Sequence, residues 1–201
     1  MSLLARLREQ LREYRPRDLP PHSWRRAAVL VPVFEQDGVA HLLLTKRTET
    51  VEHHKGQIAF PGGGEEPGDA SLEETALRET YEELGLEPAA VEVLGRLDEV
   101  ETVVSGFAVT PFVGAVPPPD RLRPNPNEID EIVTLPLAIF QDPGRVRAER
   151  VVRGGRVVEL LYYDCGRWTV WGLTARIIRN LLDVVEGKVP EAPEPPAANE
   201  P

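Results

Sequence analysis

The spacing of apolar positions changes several times along this chain, and each change marks an element. Leu3, Leu4, Leu7 and Leu11 recur at helical spacing, which predicts an N-terminal helix closed before Pro16 and Pro20-Pro21. Its stripe can pack on the domain or on a partner. Apolar stretches at Ala27 to Phe34 and Ala40 to Lys46 flank Gln36-Asp37-Gly38 and predict a hairpin, because Asp-Gly suits a tight turn. Ser71-Leu72-Glu73-Glu74 has the form of a capping box, so a helix is predicted from about Ser71 to Gly85, a residue suited to a left-handed C-terminal position. Further strands are predicted at Val91 to Leu97, Phe107 to Val116, Glu131 to Leu135, Arg147 to Val152 and Val157 to Tyr163. A last helix, Thr174 to Val185, carries Ile177, Ile178, Leu181, Leu182 and Val185 on one face. Beyond Gly187 the chain is mostly Pro, Glu and Ala, a composition that predicts disorder. The expected organisation is an N-terminal helix and linker (1–22), one α/β domain with a mixed sheet flanked by helices (23–186), and a tail (187–201).

Composition narrows the function. A chain of 201 residues fits a single domain with an adequate core. Its formal charge of −10 excludes a nucleic-acid surface, which would need clustered Lys and Arg. Cys165 is the only cysteine, so a reducing, cytoplasmic setting is expected, with Cys165 a small packing residue in a strand. No signal peptide, terminal peroxisomal tripeptide or membrane-spanning stretch is expected.

The candidate chemistry lies in Gly62-Gly63-Gly64-Glu65-Glu66-Pro67-Gly68-Asp69 and the following Arg78-Glu79-Thr80-Tyr81-Glu82-Glu83-Leu84-Gly85-Leu86. Helical spacing sets Glu79, Glu82 and Glu83 side by side, and such like-charge neighbours each cost a helix about 0.2–0.5 kcal/mol unless a cation joins them. Hard oxygen ligands suit Mg²⁺ or Mn²⁺. Glycine at 62 and 63 lets the backbone approach an anion and offers the Gly63 carbonyl as a further ligand. Arg78 is read as holding its neighbours, Glu82 among them, in ligating geometry. Glu73 and Glu74 read as solvated, with Glu74 as a cap. An acidic protein binding an anionic substrate also needs local cations, and Lys46, Arg47, Lys55 and Arg78 are nearest in sequence. Glu128 and Glu131 are either loop acids or additions to the site. Trp168 and Trp171 are assigned to the core or to a contact between two copies.

Arg-Glu-x-x-Glu-Glu-x-Gly-Leu after a glycine turn resembles the Nudix box of the Nudix pyrophosphohydrolases. The acidic residue that the family places six after its glycine falls at Asp69 or Ala70 depending on the glycine counted, and Thr80 stands where an apolar residue is usual. Leu43-Leu44-Thr45-Lys46-Arg47 and His54-Lys55-Gly56-Gln57-Ile58-Ala59-Phe60-Pro61-Gly62-Gly63 resemble the extra motif of family members that cleave coenzyme A. Segments at Asn125 to Leu137 and Val170 to Ile177 are similar to the same branch. The resemblance implies the Nudix-type α/β/α sandwich, Mg²⁺ or Mn²⁺ held by Glu79, Glu82, Glu83 and Gly63, and a small-molecule nucleotide substrate. It implies hydrolysis of coenzyme A to 3′,5′-ADP and 4′-phosphopantetheine. Arg47, His54, Lys55, Gly62 and Gly63 would bind substrate, and Glu79 or Glu128 would act as general base beside Glu82. Cleavage of ADP-ribose or a dinucleotide is the alternative specificity, and a non-catalytic nucleotide-binding module the alternative class. A homodimer is compatible with either.

Overall fold

A computed structural model describes residues 2–21, 23–48, 56–102, 106–153 and 156–188. In chain order the elements are α1 (Leu3–Glu13), β1 (Arg25–Gln36), β2 (Val39–Arg47), β3 (Ile58–Ala59), β4 (Gly62–Gly64), α2 (Leu72–Leu84), β5 (Glu92–Arg96), β6 (Val100–Glu101), β7 (Phe107–Ala115), β8 (Ile129–Pro136), α3 (Leu137–Gln141), β9 (Val146–Arg153), β10 (Arg156–Cys165), β11 (Trp168–Trp171) and α4 (Gly172–Val185). The expected hairpin forms with Gln36 opposite Val39. Asp37 and Gly38 take φ of 53° and 75°, the left-handed pair that a two-residue turn between twisted strands requires.

β1 lies at the centre of a mixed sheet, antiparallel to β2 and parallel to β7. β8 flanks β2, and β5 flanks β7. The short strands β3, β4 and β6 add to β2, β1 and β7. A second sheet, β9-β10-β11, is antiparallel throughout.

Alternation sends Ala28, Leu30 and Phe34 of β1 and Leu43 of β2 to one face, where they meet Leu72, Ala76 and Leu84 of α2. Val31, Val33, Leu42 and Leu44 face the other way, onto Leu7 and Leu11 of α1 and Ile177, Ile178 and Leu181 of α4. Helices therefore cover both faces of the sheet, as the α/β/α sandwich requires, and the strands are apolar on both sides. Of the two placements open to α1, the structure takes packing on the domain: Leu7 and Leu11 are buried, each a burial worth about 1.5–3 kcal/mol.

A polar latch fixes this helix. Asp98 accepts from Tyr14 Oη at 2.7 Å and from the backbone and guanidinium of Arg17 at 2.7–2.8 Å, while Asn180 of α4 bonds both Tyr14 Oη and the Asp98 amide at 3.0 Å. Burial holds the Tyr14 hydroxyl protonated, with its pKa pushed up to about 12.

Candidate active site

The site is built where β4 runs beneath α2. Leu30 N–H donates to the Pro61 carbonyl at 3.0 Å, and Ala28 and Val29 pair with Gly63 and Gly62, so the glycine run is held as a strand rather than as a loose turn. Gly62 has φ of 150°, and a Cβ there would stand 2.3 Å from the Ala28 carbonyl oxygen and 2.6 Å from Val29 Cα. A Cβ on Gly63 would meet the Glu79 carboxylate at 2.5 Å. The first glycine is required by the fold and the second by the site.

α2 begins where expected. Ser71 Oγ accepts from Glu74 N–H at 3.2 Å, and Glu74 answers by accepting from Ala70 N–H at 2.7 Å, one residue further back than the usual box. Gly85 closes the helix with φ of 66°. Thr80, standing in the core at a usually apolar position, donates its hydroxyl to the Ala76 carbonyl at 2.6 Å and is thereby satisfied.

Of the two residues open for the first acidic position, the structure takes Asp69. Its carboxylate receives Arg78 Nε at 2.9 Å and Nη2 at 3.0 Å, a bidentate pair, and also the Thr75 hydroxyl at 2.8 Å. The Arg78 bonds hold the Asp69 carboxyl well below the usual carboxylate range. Arg78 continues to the Gly64 carbonyl at 3.1 Å, to Glu79 at 3.0 Å and to Glu82 at 3.3 Å. It is one fixed fork connecting the glycine strand to two of the carboxylates.

Glu83 is 2% exposed. One of its oxygens accepts from Gly62 N–H at 3.3 Å and the other from Arg47 Nη1 at 3.1 Å. Burial pushes its carboxyl up to about 7, more than Arg47 lowers it, and the Glu79 charge adds to the rise. Glu79 is raised as well, first by burial and then, against the pull of Arg78, by Glu82 and Glu128. Glu82 is half-exposed.

Glu128 arrives from a loop bound to the end of α2. Arg123 N–H and Asn125 N–H donate to the Leu84 and Glu83 carbonyls, both at 2.8 Å, and Asn125 Nδ2 donates to Glu128 Oε1 at 3.2 Å. Thr48 N–H donates to the Glu128 carbonyl at 2.9 Å, which ties the same loop to the end of β2. Asn125 is thus the residue that places Glu128, a role unseen in the sequence because an Asn-Pro-Asn loop reads only as a turn.

Other candidates fall elsewhere. His54 and Lys55 lie outside the described residues. Lys46 is not beside the carboxylates: it pairs with Asp130 at 2.5 Å and lies 5.8 Å from the Trp168 ring, since adjacent strand residues point to opposite faces. Glu131 pairs with Arg167. Trp168 packs against the core, but Trp171 is 37% exposed and stacks on Tyr162, so it is a rim residue of the second sheet. Cys165 is buried in β10, and its thiol is pushed up to about 11 by burial, as for a packing residue.

Among the described residues, no three His, Cys, Asp or Glu side chains are gathered around one point closely enough to hold a metal ion as they stand. The donor set nonetheless fits a hard divalent ion. Glu79, Glu82 and Glu83 share one helix face over β4, two of them have carboxyls raised by burial and mutual charge, and Gly63 leaves the space beside Glu79 that a Cβ would fill.

The sequence profile of the NUDIX domain matches residues 24–154. The chain belongs to the Nudix family. The Nudix hydrolase NudL of Salmonella paratyphi B is 43% identical over 159 residues, covering 78% of this chain and 81% of that protein. Among solved structures, a MutT/nudix family protein from Enterococcus faecalis superposes with a TM-score of 0.54 at 17% identity, covering 92% of this chain and 70% of that one. A Nudix hydrolase from M. smegmatis, RenU, gives 0.49 at 23% identity over 60% of this chain and 78% of that one. Nudix hydrolases act on phosphoanhydride bonds and generally use divalent metal ions, which is the chemistry this carboxylate face suits. Among the described residues, no helix is long and apolar enough to cross a membrane.

Proposed function

We propose that this Nudix hydrolase cleaves the diphosphate of coenzyme A or its derivatives to 3′,5′-ADP and 4′-phosphopantetheine, with Mg²⁺ or Mn²⁺. One observation carries the reading. Arg47, the last residue of Leu43-Leu44-Thr45-Lys46-Arg47, stands at 3.1 Å from Glu83, so the segment that resembles the coenzyme A branch forms part of the wall of the carboxylate site. Gly62 and Gly63, which end the second motif, lie directly against Glu83 and Glu79 and form its floor.

Glu79, Glu82, Glu83 and the Gly63 carbonyl would hold the ion. Bound there, a divalent ion neutralises the phosphoryl groups and lowers the pKa of an attacking water. Arg78, immobilised on Asp69, keeps Glu79 and Glu82 aimed over β4. Glu79 suits a proton acceptor because burial and neighbouring charge raise its affinity for a proton, and Glu128 is the second candidate from its loop. Arg47 would meet a phosphate of the substrate through its planar guanidinium.

Incubation of the purified protein with Mg²⁺ or Mn²⁺ and, separately, coenzyme A, ADP-ribose, NADH and a diadenosine polyphosphate, with products separated by chromatography, tests the reading. Coenzyme A should be consumed only with metal, yielding the two products named. Turnover of ADP-ribose without coenzyme A would overturn the branch and leave the family intact.

A further inference from the structure

The two arginines of the site are held differently. Arg78 is anchored from behind by both oxygens of Asp69 and by the Gly64 carbonyl, so it keeps its place whatever happens to Glu79 and Glu82. Among the described residues, the Arg47 guanidinium makes one side-chain hydrogen bond, to Glu83. That bond occupies the carboxylate oxygen turned away from Gly62, while Gly62 N–H holds the other. Arg47 therefore stands as a cation on the most buried acid of the α2 face, and it is the one of the two guanidiniums that can leave without breaking the framework.

We propose that Arg47 is an exchangeable counter-ion: it neutralises Glu83 when no divalent ion is bound, and the arriving ion releases it to grip an anionic group of the substrate. The physical reason is that a bare Glu83 carboxylate at 2% exposure would be costly, and a guanidinium and a divalent ion compete for the same charge. Arg47 is 24% exposed at its side chain and sits at the end of β2, so its head has solvent to swing into. The exchange makes metal binding and anion binding mutually reinforcing, since each removes Arg47 from the state the other disfavours. This rests on the metal site and on the coenzyme A reading, and it adds to them a coupling between metal and nucleotide binding.

Side-chain NMR of arginine-¹⁵N-labelled protein tests the exchange, with Arg47→Lys assigning the Arg47 Nε–H signal and the Gly62 amide reporting the state of Glu83. Addition of Mg²⁺ should shift the Gly62 amide and move or broaden the Arg47 signal, leave that of Arg78 in place, and be reversed by EDTA. Subsequent addition of 3′,5′-ADP should give Arg47 a new, sharp signal, and Mg²⁺ should tighten binding of 3′,5′-ADP about 5-fold or more in the wild type and less in Arg47→Lys. An Arg47 signal unmoved while the Gly62 amide shifts would overturn the proposal, as would a Gly62 amide that ignores Mg²⁺. A released Arg47 that 5′-AMP re-immobilises but 3′,5′-ADP does not would uphold the exchange and overturn the coenzyme A reading.

Discussion

At the scale of residues, the site depends on adjacent glycines with separate duties. Gly62→Ala would place a Cβ at positive φ and against the backbone of β1, which cannot give way, so the variant should lose more than about 2 kcal/mol of stability or fail to fold. Gly63→Ala meets as its nearest atoms those of the Glu79 carboxylate, the far end of a flexible side chain that can swing aside. Its Tm should stay near wild type while kcat falls about 100-fold, equivalent to about 2.7 kcal/mol of transition-state stabilisation. Circular dichroism melts beside kcat decide this, and a Gly63→Ala enzyme of full activity would remove Glu79 from the site. Glu82→Gln and Glu83→Gln carry a parallel expectation: kcat lower by at least about 100-fold in each with folding retained, because removing one of three crowded charges relieves repulsion. Near-normal kcat in both at saturating metal would refute the carboxylate cluster.

At the scale of elements, the latch around Asp98 is the most exposed to a single change. Asp98→Ala strips acceptors from Tyr14 and Arg17 at once, so a loss of about 2–4 kcal/mol is expected, with α1 the first element to exchange amide protons. Tyr14→Phe should cost about 1 kcal/mol. Equal melting of both variants with wild type in denaturant titrations would show that α1 does not depend on the latch. The elements that the sequence made legible are those with a period or a punctuating residue. Asp37-Gly38 specified the hairpin, Ser71 and Gly85 bracketed α2, and the aliphatic stripe of 177–185 identified α4. The short strands β3, β4 and β6 left no such trace, because Gly62–Gly64 has no side chains to alternate and owes its extended form to pairing with β1. Asp69 was ambiguous for a related reason. Counted from Gly63 the box carries one residue too many between Asp69 and Arg78, and only the folded chain shows that Asp69 still reaches the Arg78 guanidinium, at 2.9 and 3.0 Å. Trp171 was assigned to the core or to a dimer contact on hydrophobicity; the pleat of β11 turns it outward, which removes the first of these and leaves the second open.

At the scale of the whole molecule, Glu83 couples folding, pH and metal. Its carboxyl titrates near 7 in the folded protein against 4.5 when unconstrained, because burial disfavours the charge. The folded state therefore holds a proton that the unfolded state gives up between about pH 4.5 and 7, and stability falls as pH rises through that window. The stabilisation is fully present below about pH 4.5 and is lost above about pH 7, by at most about 3 kcal/mol. Asp69, depressed by Arg78, contributes with the opposite sign: its stabilisation is present above the ordinary carboxylate range and disappears in stronger acid, outside that window. Metal-free protein should accordingly show a declining Tm from pH 5 to pH 8. Glu83→Gln, which resembles the protonated acid at every pH, should flatten that decline. Mg²⁺ or Mn²⁺ should raise the wild-type Tm more at pH 8 than at pH 6, since at the lower pH the ion must first displace the proton. Calorimetric scans of both proteins with and without metal supply the measurement. A Glu83→Gln profile as steep as that of the wild type would place the source of the pH dependence on another group, and a metal-induced rise larger at pH 6 would contradict competition between proton and ion at this carboxylate.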